Sequence, residues 1–189
     1  MKRKVCVLVT ARPSYSRIKS ALTSITDHPN LELQLVVAAS ALLDRYGAAV
    51  RSIEHDGFAI AARVYMVVEG ENLVTSAKST GLGLVELATV FDNLKPDIVV
   101  TIADRYETLA TAVAASYMNI PVAHVQGGEV TGNIDESIRH AMSKFSHIHF
   151  PATEDARNRL IRLGENPKHV FNVGCPSIDT IVQTPIIDK

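Results

Sequence analysis

The run His124-Val-Gln-Gly-Gly-Glu129-Val-Thr-Gly-Asn-Ile-Asp135-Glu136-Ser-Ile-Arg139-His140 decides how the rest of the chain is read. It leaves the apolar segment Ile120-Pro-Val-Ala123, crosses Gly127, Gly128 and Gly132, and enters a helix whose first turn carries Asp135 and Glu136. Glycine tolerates positive φ and lets main chain press close to a ligand. A strand that opens through glycines into a helix start sets side chains and amides at the carboxyl edge of a sheet, where open α/β sheets bind ligands. A tight βα loop with an Asp helix cap would use the same residue types. The neighbouring stretches separate the two readings.

Two other strand ends carry polar clusters. Val5–Val9 is a continuous apolar run, as in a strand buried on both faces. Arg12, Pro13, Ser14, Ser16 and Arg17 follow it, at the start of a helix read from Ile18, Ala21, Leu22 and Ile25. Pro13 suits a first helical turn, and the free N–H groups with two guanidiniums favour phosphate there. A solvated helix start with surface arginines is the plainer alternative. Ile98–Ile102 reads as another strand, with Asp104 and Arg105 at its end. A simple Asp cap beside an exposed Arg would look the same.

Further strands are expected at Leu31–Ala39, Ile60–Val67, His147–Phe150 and Val170–Val173. Helices are expected over Leu42–Ile53 and from Gly70 to Lys95, the latter with Leu73, Ala77, Leu84, Leu87, Phe91 and Leu94 as its packed stripe. Thr153 caps a helix that Gly164 ends. After the central run, Asp135 and Arg139 lie four apart, as do Glu136 and His140, so each pair shares a helix face. Strands alternate with helices throughout, which predicts an α/β fold: a Rossmann-like, doubly wound parallel sheet of about seven strands. In such a sheet all carboxyl ends share one rim, so the three clusters can converge.

The chain has 189 residues, 47% of them hydrophobic and 21% charged, with a formal net charge of -1. That balance supplies no electrostatic argument for nucleic acid or for an anionic membrane surface. No stretch approaches the roughly 18 apolar residues of a membrane span. Cys6 and Cys175 are the two cysteines, too few for a disulfide framework. A cytoplasmic location is therefore expected. No His, Cys and carboxylate set has metal spacing, so neither a metal nor any other cofactor is expected.

The central run, with Asp104-Arg105 ahead of it and Gly174-Cys-Pro-Ser177 behind, closely resembles the hydrolysing UDP-N-acetylglucosamine 2-epimerases of sialic acid pathways. Arg12-Pro-Ser-Tyr-Ser16 is similar to that family's N-terminal Arg-x-x-Tyr-Ser element. The resemblance implies the first of two Rossmann-like domains facing across a cleft, in a glycosyltransferase-B-like plan. Residues 1–180 would form that domain. Residues 181–189 would be a linker to a C-terminal UDP-binding domain that activity requires.

It also implies the chemistry. A base removes the proton at the second sugar carbon while UDP departs, leaving a glycal, and water then adds to give the manno-configured free sugar. Asp104 and Asp135 match positions of acid/base work, and Glu129 is a further catalytic candidate. Arg12, Ser16 and Arg105 match positions that contact the nucleotide part of a UDP-sugar. Arg139 and His140 are counted with them as substrate-binding candidates. A homo-oligomer is implied as well.

Gln126 departs from the family, which carries an acidic residue before the Gly-Gly pair. An amide cannot move a proton at neutral pH, and losing a general acid or base typically costs about 10²–10⁴-fold in rate. A branch acting on a different sugar, such as the UDP-diacetamido-trideoxyhexoses of legionaminic acid synthesis, would explain it. A proton role moved to Glu129 or Glu136, or a weakened activity, would do so too. A sugar-nucleotide-binding module without catalysis and half of a glycosyltransferase are the competing functions.

Overall fold

The computed structural model describes residues 1–183. Strands β1 (Arg3–Val9), β2 (Leu31–Ala38), β3 (Ile60–Val64), β4 (Ile98–Ile102), β5 (Val122–Val125) and β6 (Ile148–Phe150) form one sheet in the order β3-β2-β1-β4-β5-β6. Every neighbouring pair is parallel. The order reverses between β1 and β4, the switch point of a doubly wound sheet.

Helices α1 (Arg12–Asp27) and α2 (Ala49–His55) cover one face. There Tyr15, Ile18, Leu22 and Ile53 pack on Val5, Val7, Leu35 and Val37. Helices α3 (Leu73–Leu94) and α4 (Tyr106–Tyr117) cover the other, with Leu87, Phe91 and Ala114 against Leu8, Val36, Val99 and Val122. Alternate residues of each strand therefore feed two cores, which is why the strands read as unbroken apolar runs. Phe91 is fully buried; cutting it to Ala would cost about 3–5 kcal/mol. Helix α5 (Ile134–Phe145) packs beside α4, and α6 (Glu154–Arg162) follows β6.

The α1 face over β4 to β6 has no crossover helix of its own. Helix α7 (Pro176–Gln183) lies there against α1, where the Ser20 hydroxyl donates to the Asp179 carboxylate at 3.1 Å. An apolar groove of about 740 Å³ remains beside it, lined by Val7, Ile18, Val100, Val125, Phe150 and Val173. The linker expected over 181–189 begins inside α7, and its residues 184–189 lie outside the described ones.

Several local expectations are corrected. Among the described residues the sheet has six strands, against the about seven expected. Val170–Val173 runs beside β6, with the Phe171 N–H on the His149 carbonyl at 2.9 Å and the Val173 N–H on the Pro151 carbonyl at 3.4 Å. The return bond would need an N–H on residue 151, and proline has none, so only the His149–Val170 bridge forms. The helix expected over Leu42–Ile53 is two short 3-10 turns and then α2, because Gly47 and Ala48 both take positive φ. On α3 the buried stripe is Ser79, Gly83, Leu87 and Phe91; Leu73 stands in solvent next to the Asn72 cap. No described helix is long and apolar enough to cross a membrane.

Candidate active site

β1, β4 and β5 are neighbours in the sheet, so the turns after Val9, Ile102 and Val125 meet on one rim. The polar contacts there form a chain. The Arg17 guanidinium on α1 donates to the Gln126 side-chain oxygen at 3.4 Å, and the Gln126 amide faces the Cys175 sulfur at 3.2 Å. Asp104, after β4, forms an ion pair with Arg139 of α5. Burial, with the nearby Arg17 guanidinium, lowers the Arg139 pKa. Two cations share this spot, and the Arg139 Nε and Nη1 atoms lack hydrogen-bond partners.

The backbone that aims these groups is unusual. Ala103 and Gln126 have φ of 69° and 62°, in the left-handed region. Each makes one more ladder bond before turning: the Ala103 N–H to the Val125 carbonyl at 3.2 Å, and the Gln126 N–H to the Phe150 carbonyl at 2.9 Å. The chain then swings out of the sheet, throwing Asp104 towards α5 and the Gln126 side chain towards α1. Such a conformation costs a non-glycine residue roughly 1–2 kcal/mol. Ala39, just after β2, has the same geometry with φ of 52°.

Gly128 sets how the loop after β5 packs on α6. It has φ of 80°, and a Cβ on it would run into the Ala156 carbonyl of α6. Its own carbonyl accepts from Arg159. The loop beyond is held by Glu136, whose carboxylate accepts from the Thr131 and Gly132 N–H groups at 2.8 and 2.7 Å. Those two amides, Gly132's first, lower the Glu136 pKa. Glu136 thus serves as a loop clamp, with His140 3.8 Å away on its own helix.

The other expected site residues lie along the rim without joining the contact chain. Arg12 opens α1, exposed, with its stem near Gly47. No side chain caps that helix. The Ser16 hydroxyl donates to the Pro13 carbonyl at 3.0 Å. Glu129 is half-buried and, among the described residues, makes no side-chain hydrogen bond or ion pair. Asp135 is half-buried; its backbone N–H is capped by Asn133, the helix's N-cap residue. Arg139, four residues on along the same helix, pairs with Asp104 and not with Asp135.

Arg105 does not pair with Asp104 either. It folds onto Glu107, with guanidinium nitrogens 3.1 and 3.2 Å from the two carboxylate oxygens; the 3.1 Å contact, to Oε1, is out of line for a hydrogen bond. Glu107 is fully buried, and burial raises its pKa. Glu107 went unselected in the sequence because it reads as one more acidic residue at a helix start. Arg17 was visible in the N-terminal cluster but was not singled out over Arg12.

A family model described as UDP-N-acetylglucosamine 2-epimerase matches residues 23–188. The chain is 38% identical, over 97% of its length, to a hydrolysing UDP-N,N'-diacetylbacillosamine 2-epimerase of Legionella pneumophila, and covers 48% of that protein. It is 36% identical over its whole length to a hydrolysing GDP/UDP-N,N'-diacetylbacillosamine 2-epimerase of Campylobacter jejuni, and covers 49% of it. Among solved structures it is similar to the Methanocaldococcus jannaschii UDP-GlcNAc 2-epimerase in complex with UDP-GlcNAc and UDP. The TM-score is 0.81 at 25% identity, covering 95% of this chain and 49% of that one. The chain thus spans about half the length of the relatives it matches. A model match over most of the chain, on a doubly wound sheet of the same shape, means that it belongs to the UDP-N-acetylglucosamine 2-epimerase family.

Proposed function

We propose that this chain is the first domain of a hydrolysing 2-epimerase that converts a UDP-acetamido sugar into UDP and the manno-configured free sugar through a glycal. The observation that carries the proposal is the contact chain from Arg17 through Gln126 beside the Asp104–Arg139 pair, on the ligand-binding rim of the sheet. Elimination of UDP needs cations beside the leaving diphosphate and a carboxylate beside the sugar. Arg12, Arg17 and Arg139, with the uncapped start of α1, supply the first. Asp104 and Asp135 supply the second, with Glu129 as a further acid/base candidate. Arg105, Ser16 and His140 complete the substrate-binding rim.

The sugar we favour is a 2,4-diacetamido-trideoxyhexose. The diacetylbacillosamine 2-epimerase relatives of Legionella and Campylobacter support that class. Gln126 does so too, since a carboxamide can donate to and accept from an acetamido group where it cannot carry a proton. A second domain is required to hold the uridine and exclude water. Val130 and Ile134 stand exposed beside Asp135, as side chains awaiting a cover would. We further propose a cytoplasmic homo-oligomer, to which the exposed Val74 and Val85 of α3 could contribute.

The test is NMR of the products formed by the two-domain protein from UDP-N-acetylglucosamine and from the UDP-diacetamido sugar. UDP and a free manno-configured sugar are expected, with the diacetamido substrate preferred. Transfer of the sugar to an acceptor would make it a glycosyltransferase, and binding without turnover would make it a module. Gln126→Glu should lower the preference for the diacetamido sugar; equal gains on both sugars would remove Gln126 from the specificity argument.

A further inference from the structure

His124 lies at the centre of the rim, fully buried, and no step proposed above uses it. Its Nε2 is 2.9 Å from the Ala103 carbonyl and its Nδ1 is 3.2 Å from the Ser143 hydroxyl. Ala103 is the positive-φ residue that precedes Asp104. Ser143 sits one helical turn after Arg139, with its hydroxyl 3.0 Å from the Arg139 carbonyl. One imidazole therefore links the Ala103 backbone, which leads into Asp104, to a side chain of the helix that carries Arg139.

The hydrogens follow from valence. A carbonyl only accepts, so Nε2 bears the ring hydrogen. Burial keeps the ring neutral, lowering its pKa from 6.5 to about 4. Nδ1 is then bare and faces the Ser143 hydroxyl, whose rotor reaches both Nδ1 and the Arg139 carbonyl; that carbonyl also keeps its ordinary helical bond from the Ser143 N–H. All three polar groups are satisfied in this one tautomer. The bond to Ala103 also supports the strained turn, because positive φ is what points that carbonyl out of the ladder and at the ring. Gly127 completes the fit: a Cβ there would stand 2.9 Å from Nδ1 and 3.1 Å from the Ser143 oxygen.

We infer that His124 and Ser143 form a clasp that positions Asp104 and Arg139 for catalysis, with Gly127 leaving the space for it. The inference rests on the epimerase reading for its kinetic consequence but not for its geometry. His124 is a positioning residue: it touches the Ala103 peptide and α5, and acts on the sugar only through Asp104 and Arg139. A loosened carboxylate should slow the chemical step more than it weakens substrate binding, since an error of about 1 Å in a reacting group can cost 10²-fold.

Two measurements test this. In the two-domain enzyme, Ser143→Ala and His124→Phe should lower kcat about 10- to 100-fold with KM changed by less than about threefold. His124→Gln, whose amide can still donate to the Ala103 carbonyl, should recover part of the loss. A folded His124→Phe enzyme with unchanged kcat would overturn the clasp. So would a loss in Ser143→Ala explained wholly by a smaller folded fraction. Independently of any activity, imidazole 15N NMR of the 189-residue chain should show His124 as the neutral Nε2–H tautomer at neutral pH, and an Nδ1–H tautomer would also overturn it. If wild-type enzyme turns over no UDP-sugar, the functional reading fails alone, and the NMR result decides the clasp.

Discussion

Arg139 closes its ion pair on Asp104, 35 residues away, and leaves Asp135, one helical turn before it, to other work. Both partners are largely buried, with side chains 5% and 16% exposed. Removing one charge from such a pair strands the other. Arg139→Ala is expected to destabilise the domain by about 3 kcal/mol, whereas adding Asp104→Asn to it should recover part of the loss. Urea denaturation of the parent, the two single variants and the double variant measures the coupling, and additive losses would mean that the two charges do not communicate.

The buried imidazole predicts a pH response. The folded pKa of His124 lies near 4, below its ordinary 6.5. The unfolded state therefore binds the extra proton first as pH falls. Stability from this group is complete above pH 6.5 and is lost between 6.5 and 4, on the order of 3 kcal/mol in all. His149, also depressed chiefly by burial, acts with the same sign. Comparing urea midpoints at pH 7.5 and 5 in the parent and in His124→Phe isolates the His124 share. Equal pH slopes in the two proteins would contradict it.

Two glycines of the loop should respond differently to the same change. Gly128→Ala combines positive φ with a collision against the Ala156 backbone and a 3.0 Å contact to Leu160. A loss of about 3 kcal/mol is expected. Gly132 has φ of 74° but open space around its Cβ position. Gly132→Ala should cost only about 1 kcal/mol. Thermal melts of the two variants order them, and equal shifts would show that packing against α6 adds nothing.

Ala103 invites the opposite substitution. In the middle of a helix, as at the buried Ala112, Ala→Gly costs at least about 1 kcal/mol. At φ of 69° glycine relieves strain, so Ala103→Gly should fall within about 0.5 kcal/mol of the parent. The pair of variants is compared by chemical denaturation. If Ala103→Gly lost as much as Ala112→Gly, the positive-φ turn would carry no strain.

The parallel sheet was legible because two-faced burial writes Val5–Val9 and Ile98–Ile102 as unbroken apolar runs, with caps such as Thr153 and breaks such as Lys95-Pro96 between them. The rim was legible because strand ends in a parallel sheet share a side, which brought Asp104, Gln126 and Arg139 together. What stayed hidden depends on tertiary direction. Helical spacing linked Arg139 with Asp135, but the turn at Ala103 offers Asp104 from another strand. Positive φ at Ala39, Ala103 and Gln126 leaves no trace in residue type, since glycine or asparagine would be expected there. Arg105 looked like a free cation because nothing in its spacing reveals that the buried Glu107 holds it. Val170–Val173 had the composition of a strand, and a single missing N–H on its neighbour kept it out.

That missing N–H at Pro151 also bears on how molecules of this protein meet. An outer strand with free donors and acceptors is a template on which another chain can extend a sheet. β6 is only three residues long, ends at a proline, and is shadowed along its open side by residues 170–173. Intermolecular strand addition is thereby blocked at this margin of the sheet.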